Sequence, residues 1–170
     1  MPRPVVHLRS CRPEDLALLE AWAPTGNSRT HAARFARQQA ETSTYYLAVA
    51  PELADGFVGS AELRWDGNAN PEVSRCPEVT GLQVWPEELQ SHGIGTAMLA
   101  LLEQEAHACG HAELGLGVDS DGPLPLYLRL GYEDTGVEYL DRYTWIDEDQ
   151  HEHHVAEPRR WLIKHLEARR

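Results

Sequence analysis

Apolar and polar positions alternate along this chain in two periods, and the changes between them mark out its elements. A period of two runs through Gly56–Trp65, where Phe57, Gly59, Ala61, Leu63 and Trp65 fall on one face, while Val5–Arg9 is a short apolar run and Thr44–Ala50 is rich in aromatic and branched residues; each predicts a strand. Pro77–Trp85 predicts a further strand of the same group, and "DGNANPE" before it has turn chemistry. A helical period runs through Glu14–Trp22, with Leu16, Leu18 and Leu19, and closes before Pro24. Ser28 is placed to cap a second helix reaching about Glu41, with a thin apolar stripe at Ala32, Ala33, Phe35 and Ala36.

The later chain repeats this grammar. Ile94, Ala97, Met98, Leu101, Leu102 and Ala108 make a helical stripe that Gly110 ends. Ala112–Val118 predicts a strand, and "DSDGPLPLYLRLGY" a short helix stopped by Gly131; its prolines fit a first turn, whose N–H groups lack intrahelical partners. Gly136–Ile146 predicts a strand and "DEDQ" a turn. Arg159–Leu166 reads as a last strand, with a terminal helix as the alternative.

The 170 residues, 42% hydrophobic, suit a single domain spanning 1–170. A net charge of −12, from 27 acidic against 15 basic residues, argues against a nucleic-acid partner and fits a cationic substrate such as an amine better. No stretch approaches the roughly 20 apolar residues of a membrane span, and no signal-peptide core opens the chain. Cys11, Cys76 and Cys109 are too scattered for a disulfide framework. A cytoplasmic protein without membrane contact, monomeric or homodimeric, is expected.

One corner carries chemistry. In "LQVWPEELQSHGIGTAML" a strand turns through Gly93 and Gly95 into a helix, which gathers unpaired N–H groups at the positive end of the helix dipole. That is the outline of an anion site. A Walker loop is excluded because no lysine follows Gly95, and a dinucleotide fingerprint because Met98 stands where its last glycine or alanine belongs. Glycines serving only tight packing remain the bland alternative.

The segment resembles the acetyl-CoA-binding element of the GNAT N-acetyltransferase family, whose [QR]-x-x-G-x-[GA] signature is filled by Gln90, Gly93 and Gly95. A second likeness lies in "LYLRLGY", where Leu126, Tyr127, Gly131 and Tyr132 match the family's Leu-Tyr-x-x-x-Gly-Phe/Tyr helix. Ser120 stands where the family often has asparagine, and His92 where it often has lysine or arginine. The order of elements agrees over nearly the whole chain. The resemblance implies an α/β (α+β) fold, a central mixed, mostly antiparallel sheet flanked by helices. It also implies transfer of acetyl from acetyl-CoA to a primary amine of a small molecule or peptide.

Carried over by position, backbone amides of Ser91, His92, Gly93, Ile94, Gly95 and Thr96 clasp the coenzyme A pyrophosphate, Leu82, Gln83 and Val84 pair with pantetheine, and Ser120 and Tyr127 contact the coenzyme. Tyr127 is the implied acid for the departing thiolate, and Glu78 the implied base, with Glu62 as runner-up; an acceptor arriving neutral needs neither. Cys76 has no histidine beside it, so direct transfer is expected over an acyl-cysteine. Cys109 is expected to be packed and inert. His151, His153 and His154 are expected on a solvent-facing hairpin without a metal, since spacing supplies no further ligand. The rival functions are a catalytically silent acyl-CoA sensor of the same fold and a nucleotide-binding protein using the same corner.

Overall fold

The computed structural model describes residues 3–119 and 122–167. Its elements are β1 (His7–Ser10), α1 (Asp15–Trp22), α2 (Thr30–Gln39), β2 (Ser43–Val49), β3 (Phe57–Arg64), β4 (Glu78–Val84), α3 (Ile94–Ala108), β5 (Glu113–Asp119), α4 (Leu124–Arg129), β6 (Glu133–Ile146) and β7 (Glu152–His165). The strands form one seven-stranded sheet in the order β1-β2-β3-β4-β5-β7-β6. Only β4 and β5 run parallel; every other neighbouring pair is antiparallel. The mixed, mostly antiparallel sheet is as the sequence predicts.

Strand alternation assigns each face its work. Ala61 and Leu63 of β3, Val79 of β4 and Leu114 and Leu116 of β5 join Met98, Leu99 and Leu102 of α3 in the main core. Successive side chains of a strand point to opposite faces, so Ser60, Glu62 and Arg64, Glu78 and Thr80, and Gly115 and Gly117 look the other way. Part of that second face is covered by α1 and α2, through Leu19 and Phe35 packed with Tyr45 and Leu47 of β2. Fully burying one such leucine contributes about 2 kcal/mol, and the rest of the face is left open to become a cleft. At the far end of α3, Gly110 (φ +89°) closes the helix with Gly110 N–H bonded to the His107 carbonyl and His111 N–H to that of Ala106, the paired bonds of a Schellman stop.

Two boundaries differ from the sequence reading. Ser28 does not cap α2: Arg29 holds the cap position in the left-handed region (φ 48°), and the Ser28 hydroxyl instead bonds the backbone of Ile146 at 2.9 and 3.4 Å. A serine's oxygen can satisfy any nearby backbone group, and here the tip of the β6–β7 hairpin supplied one. The two closing strands are also longer than predicted, at 14 residues each. Their charged and histidine-rich outer halves hide the strand pattern, because a solvated ribbon needs no apolar face. The terminal-helix alternative falls, since Glu113–Asp119 pairs residue by residue with Arg159–His165. Among the described residues no helix is long and apolar enough to cross a membrane.

Candidate active site

The site begins where the sheet opens. β4 and β5 meet at a single pair, Glu78 opposite Gly115, reinforced by Gly115 N–H to the Pro77 carbonyl at 2.9 Å. Beyond it β4 carries an extra residue relative to β3, the register slipping between Ser60 and Glu62, with Gly81 at φ +60°. A bulge bends its strand and ends regular pairing. The β5-facing edge of Leu82, Gln83 and Val84 is left without a strand partner, while Gln83 and Val84 stay paired to Ser60 and Gly59 of β3 on the other edge.

A cavity of about 440 Å³ follows this edge to the start of α3, with walls from Leu82, Val84, Gly93, Gly95, Thr96 and Tyr127. Ser91 (φ 67°) and Gly93 (φ 82°) both adopt left-handed backbone here. Among the described residues, no protein acceptor takes the N–H groups of Ser91, His92, Gly93, Ile94, Gly95 or Thr96. Free donors at the positive end of a 15-residue helix fit a pyrophosphate, and the slot along β4 fits an extended, pantetheine-like arm. Gln90 fastens the loop to the strand, its amide donating to the Val84 carbonyl at 3.0 Å, and His92 is exposed.

On the other side of the gap lies a cleft of about 720 Å³ bordered by Glu78, Thr80, Leu82, Tyr127, Tyr139 and Arg64 among others. The glycines of β5 make its floor possible. A side chain at Gly115 would collide with the Trp161 ring, and one at Gly117 with the Tyr139 hydroxyl. Glu78 is 4% exposed and takes a 2.9 Å hydrogen bond from the Asn68 amide. Burial pushes its carboxyl above the ordinary carboxylate range, against the lowering effect of Asn68 and the Arg64 charge.

Glu62, the other candidate base, is differently placed. It is forked by Arg37 at 2.6 and 2.9 Å and takes hydrogen bonds from Ser43 at 2.7 Å and Thr80 at 3.3 Å. Burial alone would raise it, yet the Arg37 and Ser43 hydrogen bonds win and hold it below the usual range. A carboxylate so occupied has no free oxygen lone pair aimed at an amine. Glu62 is a structural tie between α2 and the sheet.

Tyr127 sits on α4 where the two cavities join; it and Leu82 line both. Its ring meets Tyr132 edge-on at 5.9 Å, and burial, then the Asp119 charge, raises its phenol. The turn behind it is anchored by Tyr132, whose hydroxyl donates to Glu103 at 3.0 Å, and by Lys164, which donates to Glu103 at 2.8 Å and to the Leu130 carbonyl at 2.7 Å.

Of the remaining sequence-predicted residues, Ser120 lies outside the described residues. Cys76 is half-buried with its thiol pushed up to about 11 by burial and then Glu113, which disfavours a nucleophilic thiolate. Cys109 is exposed, contrary to the packed position expected of it, because the helix has already turned its apolar stripe away by that residue. His153 bonds the Asp147 carboxylate at 2.7 Å and stacks on Trp145 at the exposed hairpin tip. Sequence reasoning missed Asn68, Arg64 and Tyr139. Asn68 lay inside a turn segment whose polarity already had an explanation, and a long-range strand pairing alone brings Tyr139 beneath the cleft.

The model of the acetyltransferase (GNAT) family matches residues 14–132. The chain belongs to the GNAT acetyltransferase family. No curated protein matches it. Among solved structures, a ribosomal-protein-S18-alanine N-acetyltransferase from Escherichia coli superposes with TM-score 0.62 at 18% identity, covering 97% of this chain and 96% of the other. An IAA acetyltransferase from Bacillus cereus gives TM-score 0.60 at 19% identity, covering 95% and 100%. A GNAT family acetyltransferase from Elizabethkingia anophelis, with acetyl-CoA bound, gives 0.57 at 21% identity, covering 98% and 100%. At these identities the likeness is one of fold.

Proposed function

We propose that the protein is an acetyl-CoA-dependent N-acetyltransferase that acetylates a primary amine by direct attack. The observation that carries this reading is the shared wall: Leu82 and Tyr127 border both the slot suited to the coenzyme and the cleft containing Glu78. Two reactants held on either side of that passage would react as neighbours, which removes much of the entropic cost of a bimolecular encounter.

Acetyl-CoA, when bound, supplies an acetyl thioester whose carbonyl carbon accepts the amine nitrogen while its carbon–sulfur bond breaks. The loop from Ser91 to Thr96 holds the diphosphate through main-chain N–H groups. Leu82 to Val84 offer the unpaired β4 edge, whose N–H groups are suited to polarising a carbonyl oxygen. Glu78 takes the proton that an ammonium must lose to become a nucleophile, directly or through a water, and its raised pKa makes it a stronger base than an ordinary carboxylate. Tyr127, kept protonated, gives its proton to the departing sulfur. An ammonium sheds two protons on becoming an amide: Glu78 takes the first, and the second, lost from the nitrogen after attack, replaces the one Tyr127 gives to sulfur, so the products are the acetyl amide, free coenzyme A and one proton that Glu78 passes to solvent.

The test is thermal-shift screening against acetyl-CoA, ATP and NAD, followed by thiol release with an amine panel. Protection by acetyl-CoA with amine-dependent release of coenzyme A supports the transferase. Protection without release favours the silent sensor, and protection by ATP or NAD instead favours a nucleotide site.

A further inference from the structure

We propose that the acceptor is a small amine that also carries a carboxylate a few bonds away, the carboxylate being held by Arg64 while the amine faces Glu78. This rests on the transferase reading of the same cleft. Arg64 ends β3 directly opposite Glu78 in the β3–β4 ladder, and both border the cleft. Opposite positions on one face have Cβ atoms about 5 Å apart, so a ligand meeting both side chains has its two charged ends close together.

What singles out Arg64 is that it is half-buried, stands opposite Glu78 and has no partner of its own. Among the described residues it makes no side-chain hydrogen bond and no ion pair, although Glu78 is its neighbour; Glu78 takes its hydrogen bond from Asn68 instead. Its neighbours are settled. Arg37 is committed to Glu62, and Arg159, also on the cleft wall, to Asp141 at 2.9 Å and Glu157 at 3.2 Å. The other charges on the cleft wall are Asp141, the partner of Arg159, and Arg142 and Asp119, the last two exposed and unpaired among the described residues. A half-buried guanidinium presents a planar fork matched to carboxylate geometry. A polyamine would bring a second ammonium against Arg64 and Arg142. The overall charge of −12 therefore misdirects; the charge that meets the acceptor is local.

The experiment compares matched pairs: the L-α-amino acids, β-alanine and γ-aminobutyrate, each against its own amide, with spermidine as the polycation. Coenzyme A release gives kcat and KM, and the N-acetylated member of each pair is titrated onto the coenzyme A-loaded protein by calorimetry. The carboxylate member of the preferred pair should lead its amide by at least tenfold in kcat/KM and in product affinity. In Arg64→Gln that ratio should fall toward one through a higher KM for the carboxylate member, with Arg64→Lys intermediate because charge survives without the fork. Retained acetyl-CoA protection shows that each variant is folded. Amides or spermidine used as well as the acids, or a ratio unaltered in both variants, overturns the proposal. Absence of turnover with every amine overturns the transferase reading instead, and calorimetry of the same pairs then decides the carboxylate preference by itself.

Discussion

Leu82 on β4 and Tyr127 on α4 border both cavities, so an unpaired strand edge and a phenol meet at the passage between them. Removing the hydroxyl tests what that meeting does. Tyr127→Phe should lower kcat by roughly ten- to a thousandfold, with acetyl-CoA still raising the melting temperature. The phenol's pKa is raised, so any alkaline loss of activity through Tyr127 should come above the ordinary phenol range. Wild-type turnover in the Phe variant removes Tyr127 from the reaction.

Glu78 predicts an acid limb. As a base it works only when ionised, so kcat/KM should fall as pH drops through a pKa above the usual carboxylate range. Glu78→Gln should abolish that limb and cost about a hundredfold or more in rate. Stability should move the other way. A carboxyl whose folded pKa lies above its unfolded one favours folding at low pH and loses that contribution as pH rises through the folded value. The Gln variant should thus melt at or above the wild-type temperature at pH 8, an advantage that vanishes near pH 4.

Glu62 predicts the opposite sign. Its folded pKa is depressed, so its contribution is present above the unfolded value and lost as pH falls through the folded one. Arg37→Met leaves that carboxylate buried without its fork and should destabilise by about 3 kcal/mol at pH 7. The gap between variant and wild type in urea melts should narrow on acidification, because the stranded carboxylate can then take a proton. A pH-independent gap would show that the pair contributes through packing alone.

Gly93 predicts a coupled loss. At φ 82° an alanine is strained whatever space surrounds it, so Gly93→Ala should cost about 1 kcal/mol of stability. It should also weaken acetyl-CoA binding by calorimetry, since the N–H groups on either side would move. Unchanged affinity would mean that the loop does not hold the diphosphate.

The sequence alone determined the parts whose information is local. Alternation placed β3, and apolar runs bounded by turn residues placed β2 and β4, to within a residue or two, the apolar stripe and Gly110 placed α3, and the glycine pair placed the strand-to-helix corner at Gly93. These follow from backbone sterics and nearest-neighbour periodicity, which a short window contains. Tertiary structure decided the rest. Glu62 and Glu78 look alike in sequence, yet Glu62 is forked by Arg37 of α2 and ends with a lowered pKa, whereas Glu78 takes its hydrogen bond from Asn68 and burial raises it. Ser28 found the hairpin tip in place of its own helix, and the hairpin extended through residues with no apolar signature. Arg64 stands unpaired because its neighbours bond elsewhere. Which charge is compensated depends on partners distant along the chain, and only folding brings them within hydrogen-bond reach.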